Sequence, residues 1–236
     1  MAEKNKIKER YIRNFNTFSE KEQNRLIKSH VSIIGLGGLG GGVCEMLART
    51  GVGNLTLIDG DSFDESNLNR QILSTENLIG TSKALAAADR VHAINSSVSV
   101  NHVVKYADDS NLYDLIKHSD LAVDCLDTID SRFVLEKAAR KADIPIVSGA
   151  IAGVSGQVTV FFPKDTGYEL IYGKKSRNRS HGVETETGNI SYCAMLIASI
   201  QASECIKILL DRGDILRNKM MIIDLWTNIF EIIKLT

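Results

Sequence analysis

Cysteine is scarce in this chain, and the few cysteines are widely separated. The 236 residues contain four, none of them in a Cys-x-x-Cys pair: Cys44, Cys125, Cys193 and Cys205. This pattern indicates neither a zinc knuckle nor a disulfide framework. Separate free thiols are typical of proteins in a reducing compartment, so we expect this protein to be cytoplasmic.

An excess of one charge is also missing. The chain has 28 Lys+Arg against 29 Asp+Glu, which gives a formal net charge of -1. A nearly neutral chain offers no electrostatic argument for binding nucleic acid or an acidic membrane surface, and we expect neither as a partner.

Long apolar runs are lacking as well. The first residues are polar, and the most apolar segment, residues 193–210, is interrupted by Gln201, Glu204 and Lys207. We therefore expect no export signal and no membrane-spanning helix. With 44% hydrophobic and 24% charged residues, the composition is that of a globular chain with one large domain and at most a small extension.

Glycine, in contrast, is concentrated at the end of one β-branched run. Residues 31–34 read Val-Ser-Ile-Ile, and Gly35-Leu36-Gly37-Gly38-Leu39-Gly40 follows before an apolar-periodic segment. This order predicts a strand, a tight turn and a helix. Gly35, Gly37 and Gly40 fit the G-x-G-x-x-G pattern, whose free N–H groups at a helix N-terminus bind phosphate. Such turns also occur as packing devices, so the motif alone leaves both interpretations open.

The next element favours a nucleotide ligand. Gly51-Val52-Gly53 ends the helix, and Leu55–Ile58 forms a second strand that leads into Asp59. An acid at this distance is where a ribose hydroxyl would be held. Two classes remain: a nicotinamide or flavin oxidoreductase, and an enzyme that uses ATP.

Two cations behind the glycine turn favour ATP. Residues 60–71 are too rich in turn formers to be a strand, and they end in Arg70 and Gln71; Lys83 follows after Gly80. A dinucleotide carries two phosphates and its redox chemistry needs no extra cations there. Attack on a triphosphate, however, needs charge neutralised on the α-phosphorus and on the departing pyrophosphate.

The order of elements predicts the fold class. Strands and helices alternate from residue 31 to residue 149. Residues 158–162, 220–225 and 229–235 also read as strands, but these strands do not alternate with helices. We expect an α/β, Rossmann-like, doubly wound and mostly parallel sheet, extended by antiparallel C-terminal strands. Residues 1–28 would form an N-terminal helical arm, and residues 29–236 a single ATP-binding domain with a mobile loop at about 173–188.

One acidic pair follows a predicted strand directly. Residues 121–123 are apolar, and Asp124-Cys125-Leu126-Asp127 comes next. One interpretation is that Asp124 only caps the strand; the other is that a carboxylate here faces phosphates and holds Mg²⁺.

Six motifs in one order resemble the ThiF/MoeB/HesA family of E1-like adenylyltransferases, the bacterial relatives of the ubiquitin-activating enzyme. The resemblance runs from Arg10 almost to the C-terminus. The matching segments are residues 35–40, 50–59, 67–71, 80–83 and 124–127, and Ser148-Gly149 with residues 156–161.

The resemblance implies a reaction and a set of roles. The C-terminal glycine carboxylate of a small ubiquitin-like sulfur-carrier protein (ThiS/MoaD type) would attack the α-phosphorus of ATP and give an acyl adenylate. Alternatives are adenylation of a peptide or other carboxylate, a dinucleotide-dependent oxidoreductase, and a non-catalytic partner-binding relative. The implied nucleotide-binding residues are Gly35, Gly37, Gly38, Gly40, Asp59, Asp61, Asn67, Arg70, Gln71 and Lys83. The implied catalytic residues are Arg13, Asn67, Arg70, Lys83 and Asp127.

The family pattern also implies the metal and the assembly. Asp127 would bind Mg²⁺, and Arg13 would reach the ATP of the other subunit of a homodimer. The carrier would end in Gly-Gly.

Two departures from the family pattern change the expected chemistry. The Cys-x-x-Cys pairs of most relatives are replaced by residues 168–172 and are absent at the end of the chain, so we expect no structural zinc. Glu184 stands where sulfur-transferring members carry a cysteine, which argues against a covalent sulfur step. Cys193 lies near the start of the last helix, where the helix dipole would lower its pKa, although small buried cysteines are commoner.

Overall fold

The strands come from short β-branched runs, and they form one mixed sheet in the computed structural model, which describes residues 9–173 and 187–235. The sheet has eight strands in the order β3-β2-β1-β4-β5-β6-β7-β8. Their bounds are His30–Ile34 (β1), Asn54–Ile58 (β2), Ser99–Val103 (β3), Leu121–Asp124 (β4), Ile146–Ala152 (β5), Ser155–Phe161 (β6), Lys219–Asp224 (β7) and Ile229–Lys234 (β8).

Helices fill most of the connections between these strands. They are Glu20–Lys28 (α1), Gly40–Thr50 (α2), Lys83–Ile94 (α3), Leu112–Ile116 (α4), Ile129–Ala142 (α5), Glu169–Tyr172 (α6) and Ser191–Leu210 (α7). Short 3-10 turns cover Glu9–Asn14, Glu65–Asn67 and Glu76–Leu78.

Strands β1 to β5 pair in parallel, and β6 to β8 continue the sheet in antiparallel register. The chain runs outward from β1 to β3 and then returns to β4 on the other side of β1. The predicted fold class is therefore confirmed. Strand order reverses between β1 and β4, which is the position where open α/β sheets bind their ligands.

Alternating side chains divide the interior into two cores. Val31, Ile33 and Val123 belong to the core under α2, α3 and α7, whereas Ile34 and Ala122 belong to the core under α4 and α5. This alternation follows from the two-residue period of a strand. It is why the sheet is covered by helices on both faces.

Helix α7 is the one helix in the described ranges that is long and apolar enough to cross a membrane, and more than half of it is buried inside the domain. Its polar side chains Gln201 and Glu204 are also buried, where they bond to backbone groups. This is the pattern of a core helix.

The sequence pattern predicts a helix over residues 132–142 and a strand over residues 144–149, and both boundaries differ in the structure. Helix α5 already begins at Ile129, because the side chain of Thr128 accepts a hydrogen bond from the backbone N–H of Ser131 and so caps the helix earlier. Strand β5 starts after Pro145 and continues to Ala152, which pairs with Ser155 of β6.

The N-terminal arm is attached to the domain by buried contacts. Leu26 of α1 is part of the larger core, and Ser19 caps α1 with a reciprocal bond to Glu22. The hydroxyl of Tyr11, a residue 2% exposed, accepts a 2.8 Å hydrogen bond from Asn95. The division into an arm of residues 1–28 and a domain of residues 29–236 stays a prediction.

We expect the Tyr11→Phe substitution to lower the free energy of unfolding by about 1 kcal/mol, the usual net value of one buried hydrogen bond. Urea denaturation measures this change. Tyr192→Phe is the matched control, because Tyr192 is 51% exposed. Equal stability of the Tyr11→Phe protein and the wild type would show that the Asn95 bond does not hold the arm.

Candidate functional site

The glycine turn after β1 is in direct contact with the loop after β4. Gly35 has φ +87°, and a β-carbon there would lie 2.6 Å from the carbonyl oxygen of Cys125. A β-carbon on Gly40 would collide with the carbonyl of Gly35. The structure requires glycine at both positions. Only a residue without a side chain permits the positive φ of Gly35 and the close approach of both residues to a backbone carbonyl.

Arg70 and Gln71 flank the same turn. The Cγ of Arg70 is 3.7 Å from the point where a β-carbon on Gly38 would lie, and the side-chain amide of Gln71 is 3.5 Å from the equivalent point on Gly37. Gln71 is buried, and its Oε1 has no hydrogen-bond partner in the described part of the chain. Native structures rarely leave a buried polar atom unpaired, so this atom indicates a ligand or water at the turn.

Asp59 holds the glycine turn from the neighbouring strand. Its Oδ2 accepts the N–H of Leu36 at 2.7 Å, and its Oδ1 accepts the N–H of Asp61 at 2.8 Å. Burial raises the pKa of Asp59 in spite of these two bonds. The carboxylate is thus fixed beside the turn, at the carboxyl end of β2.

Lys83 points from the first turn of α3 toward Asp61. Its Nζ lies 3.1 Å from Asp61 Oδ2, and the hydroxyl of Tyr106 donates to Asp61 Oδ1 at 2.6 Å. The Tyr106 hydrogen bond and then Lys83 lower the pKa of Asp61. Because Lys83 is only 7% exposed, the residues around it restrict the position of its ammonium group.

Asn67 and the guanidinium of Arg70 hold the loop between Asp64 and Arg70. The Oδ1 of Asn67 accepts the N–H of Asp64 at 3.2 Å. Arg70 Nη1 donates to the carbonyl of Ser66 and to Asn69 Oδ1, both at 2.9 Å. Both side chains are therefore engaged with their own loop, and Arg70 also lies against the glycine turn at Gly38.

The two acids after β4 have different environments. Asp124 is fully buried and forms an ion pair with Arg132, whereas Asp127 is exposed. Within the ranges that the structure covers, the Asp127 side chain makes no hydrogen bond or ion pair. Only Asp127 has its carboxylate oxygens available to a metal ion.

Arg13 lies far from the glycine turn of its own chain. The arm bonds to the C-terminal ends of two helices, through Asn14 to the carbonyl of Thr50 and through Arg10 to the carbonyl of Ile94. Helix α2 starts at the glycine turn and has 11 residues, so it separates the arm from the turn by about 16 Å. Arg13 itself is exposed.

Cys193 has the environment of a small buried cysteine, the commoner of the two interpretations. Cys193 is fully buried, and burial raises the pKa of its thiol instead of lowering it. Glu184 and most of the loop predicted at 173–188 lie outside the described residues. Among the described residues no group of three or more His, Cys, Asp or Glu side chains is arranged to hold a metal; the expectation that zinc is absent stays a prediction.

Sequence reasoning missed the side chains that support this site. Arg132, Ser148 and Tyr168 all donate to Asp124 Oδ2. A signal for Arg132 was present: it lies three residues from both Ile129 and Leu135, on the apolar face of a predicted helix. A cation on a buried face requires an acidic partner.

We expect Gly35→Ala to lower the free energy of unfolding by more than the roughly 1–2 kcal/mol cost of a left-handed backbone. The added methyl group would also press on the Cys125 carbonyl. Gly80→Ala is the matched control for urea denaturation, because Gly80 has φ +84° and no atom within 4 Å of its added β-carbon. If the two variants lose the same stability, the close approach has no energetic weight.

The comparisons with known proteins agree with this architecture. A family profile described as the ThiF family matches residues 9–236. The chain is 34% identical over 209 residues to the SAMP-activating enzyme E1 of Haloferax volcanii, covering 89% of this chain and 77% of that protein. It is 38% identical over 215 residues to the molybdopterin-synthase adenylyltransferase of Escherichia coli, covering 90% and 86%.

Among solved structures, a crystal structure of E. coli MccB with ATP has the same fold. The TM-score is 0.79 at 23% identity, and the match covers 97% of this chain and 72% of that chain.

Proposed function

The chain belongs to the ThiF family, and we propose that this ATP-dependent adenylyltransferase activates the C-terminal carboxylate of a small ubiquitin-like carrier protein. The observation that carries the proposal is the contact between the glycine turn and the Asp127 loop, with Arg70 against Gly38 and Lys83 bonded to Asp61. The carboxylate oxygen would attack the α-phosphorus of ATP, the bond to the bridging oxygen would break, and pyrophosphate would leave.

This reaction needs the carboxylate and the ATP to be positioned and the phosphates to be neutralised by positive charge. It does not need a general base. A C-terminal carboxyl group has a pKa of about 3.5 and is already ionised at neutral pH. The backbone N–H groups at the start of α2 are suited to the phosphates. Lys83 and Arg70 would offset the negative charge that develops on the α-phosphorus and on the leaving pyrophosphate. Gln71, with its unpaired buried amide, is a further contact for the nucleotide.

The acidic loop fits a magnesium ion. Mg²⁺ in nucleotide sites is bound by one or two carboxylates together with phosphate oxygens and water. Asp127 would hold it, since this carboxylate is exposed and lies next to Leu126, whose N–H is 3.5 Å from the point where a β-carbon on Gly35 would lie. The ion would supply positive charge to the phosphate oxygens.

A homodimer would complete the site. The arm is bound at the C-terminal end of helix α2, about 16 Å from the glycine turn of its own chain, and the Arg13 side chain is exposed. Arginine is suited to a phosphate in another subunit, because its charge is permanent and its fork matches phosphate oxygens. We propose that Arg13 contacts the ATP of the partner subunit.

The apolar hairpin at the end of the sheet is a surface for the carrier. Phe230 and Ile232 are 58% and 56% exposed on β8, and Trp226 in the turn is 79% exposed. Contiguous exposed apolar side chains mark protein interaction sites. Such a surface suits a folded carrier protein better than a small carboxylate.

We expect Asp127→Asn and Lys83→Ala each to lower ATP–pyrophosphate exchange about a hundredfold or more, the usual loss for one preorganised charge. The assay contains purified carrier ending in Gly-Gly. Asp214→Asn and Lys219→Ala are the matched controls, because the exposed Asp214 and the half-buried Lys219 form an ion pair 2.9 Å long where β7 begins, at the opposite end of the sheet. Near-normal exchange in Asp127→Asn would remove that residue from the site.

We expect Arg13→Ala and Asp127→Asn to complement each other across the dimer. Each is inactive alone, but a mixed dimer has one site with both wild-type residues and one with neither. Random pairing makes half of the dimers mixed, so roughly a quarter of all sites should work. The measurement is exchange activity after subunit mixing, with mixing verified by native mass spectrometry. Activity that stays at the level of the single variants contradicts action across the interface.

A further inference from the structure

The ion pair between Arg132 and Asp124 is tied to the residue that precedes Asp127. Arg132 Nη1 donates to Asp124 Oδ2 at 2.5 Å, and its Nη2 donates to the carbonyl of Leu126 at 2.5 Å. Asp124 Oδ1 accepts the N–H of Leu126 at 3.0 Å. One buried ion pair thus binds both the N–H and the C=O of Leu126.

The pair is itself held rigidly. Arg132 is 5% exposed and Asp124 is fully buried. Ser148 and Tyr168 donate to Asp124 Oδ2 at 2.8 and 2.5 Å, and Arg132 Nη1 also donates to the carbonyl of Gly149 at 3.1 Å. Both oxygens of Asp124 and both terminal nitrogens of Arg132 have partners, so the carbonyl of Leu126 is bound to a fixed donor.

A second attachment lies on the other side of Asp127. Thr128 caps α5: its Oγ1 accepts the N–H of Ser131 at 3.3 Å and donates to Ser131 Oγ at 2.7 Å. Asp127 is therefore the one residue between two anchored neighbours. Its backbone is fixed from both sides, while its carboxylate has no partner among the described residues.

We propose that Arg132 is a positioning residue that fixes the Asp127 carboxylate for metal binding, through the backbone of Leu126. The inference rests on the proposed function, in which Asp127 holds Mg²⁺. Groups that orient a metal ligand change metal affinity about 10- to 100-fold when they are removed. Arginine suits this place because its rigid fork directs one terminal nitrogen at the carboxylate and the other at the carbonyl, whereas lysine has a single terminal nitrogen without that fixed geometry.

The test is Arg132→Lys, which keeps the positive charge beside Asp124 and removes the bond to the Leu126 carbonyl. The Mg²⁺ concentration that half-activates ATP–pyrophosphate exchange should rise about tenfold or more. Calorimetric titration with ATP in EDTA should give an affinity within about twofold of wild type, whereas the gain in ATP affinity on adding Mg²⁺ should shrink.

Arg140→Lys is the matched control. Arg140 is on the same helix and also donates to loop carbonyls, those of Pro163 and Thr166, but it does not contact the Asp127 loop. It should leave the Mg²⁺ requirement unchanged. A folded Arg132→Lys protein with a wild-type Mg²⁺ requirement, or an equal shift in Arg140→Lys, overturns the inference.

The second anchor keeps the test decisive if Arg132→Lys does not fold. Thr128→Ala should raise the Mg²⁺ requirement a few-fold, and Thr128→Ser, which restores the cap, should return it to the wild-type value. No shift in Thr128→Ala, or a shift that Thr128→Ser does not reverse, counts against positioning. If Asp127→Asn leaves the Mg²⁺ requirement unchanged, the proposed metal role itself fails. If Asp127→Asn changes the Mg²⁺ requirement but the Arg132 and Thr128 variants leave it unchanged, only the positioning inference fails.

Discussion

The contact between Gly35 and the carbonyl of Cys125 is the constraint on which the rest of the site depends. It joins the turn after β1 to the loop after β4 at the point where strand order reverses. Parallel strands that lie side by side place their carboxyl ends together. The absence of a side chain at Gly35 then lets the glycine turn and the acidic loop meet in van der Waals contact.

Most of the site is organised without a ligand. The carboxylate of Asp59 already holds the N–H of Leu36, Asp61 already holds Lys83, and the Leu126 backbone is bound at both ends. In the proposed function, a nucleotide at this site would find these groups in fixed places, so little conformational entropy would be lost in ordering them. Arg70 and Asn67 differ, because the proposed contacts to phosphate would replace their present bonds to their own loop.

Local patterns predicted the fold well because each of them reports a neighbour in sequence. Strand and helix periods, together with turn chemistry, are enough to predict four features: the glycine turn, the acid after β2, Lys83 at the start of α3 and the terminal hairpin. The supporting residues do not. Tyr168 is 44 residues from Asp124, and Ser148 is 24 residues away; only the completed sheet brings them to one carboxylate. The raised pKa of Cys193 likewise depends on burial, which the helix position alone did not disclose.

The buried ion pair also restricts how this sequence can change over generations. Loss of either Asp124 or Arg132 alone would leave an uncompensated charge in the interior, which typically costs about 3–5 kcal/mol. Replacing both together with matched apolar side chains can be nearly neutral for stability, but that route passes through an unstable single variant. The two positions are therefore coupled in inheritance: a lineage that keeps the Asp124 carboxylate must keep a cation at position 132.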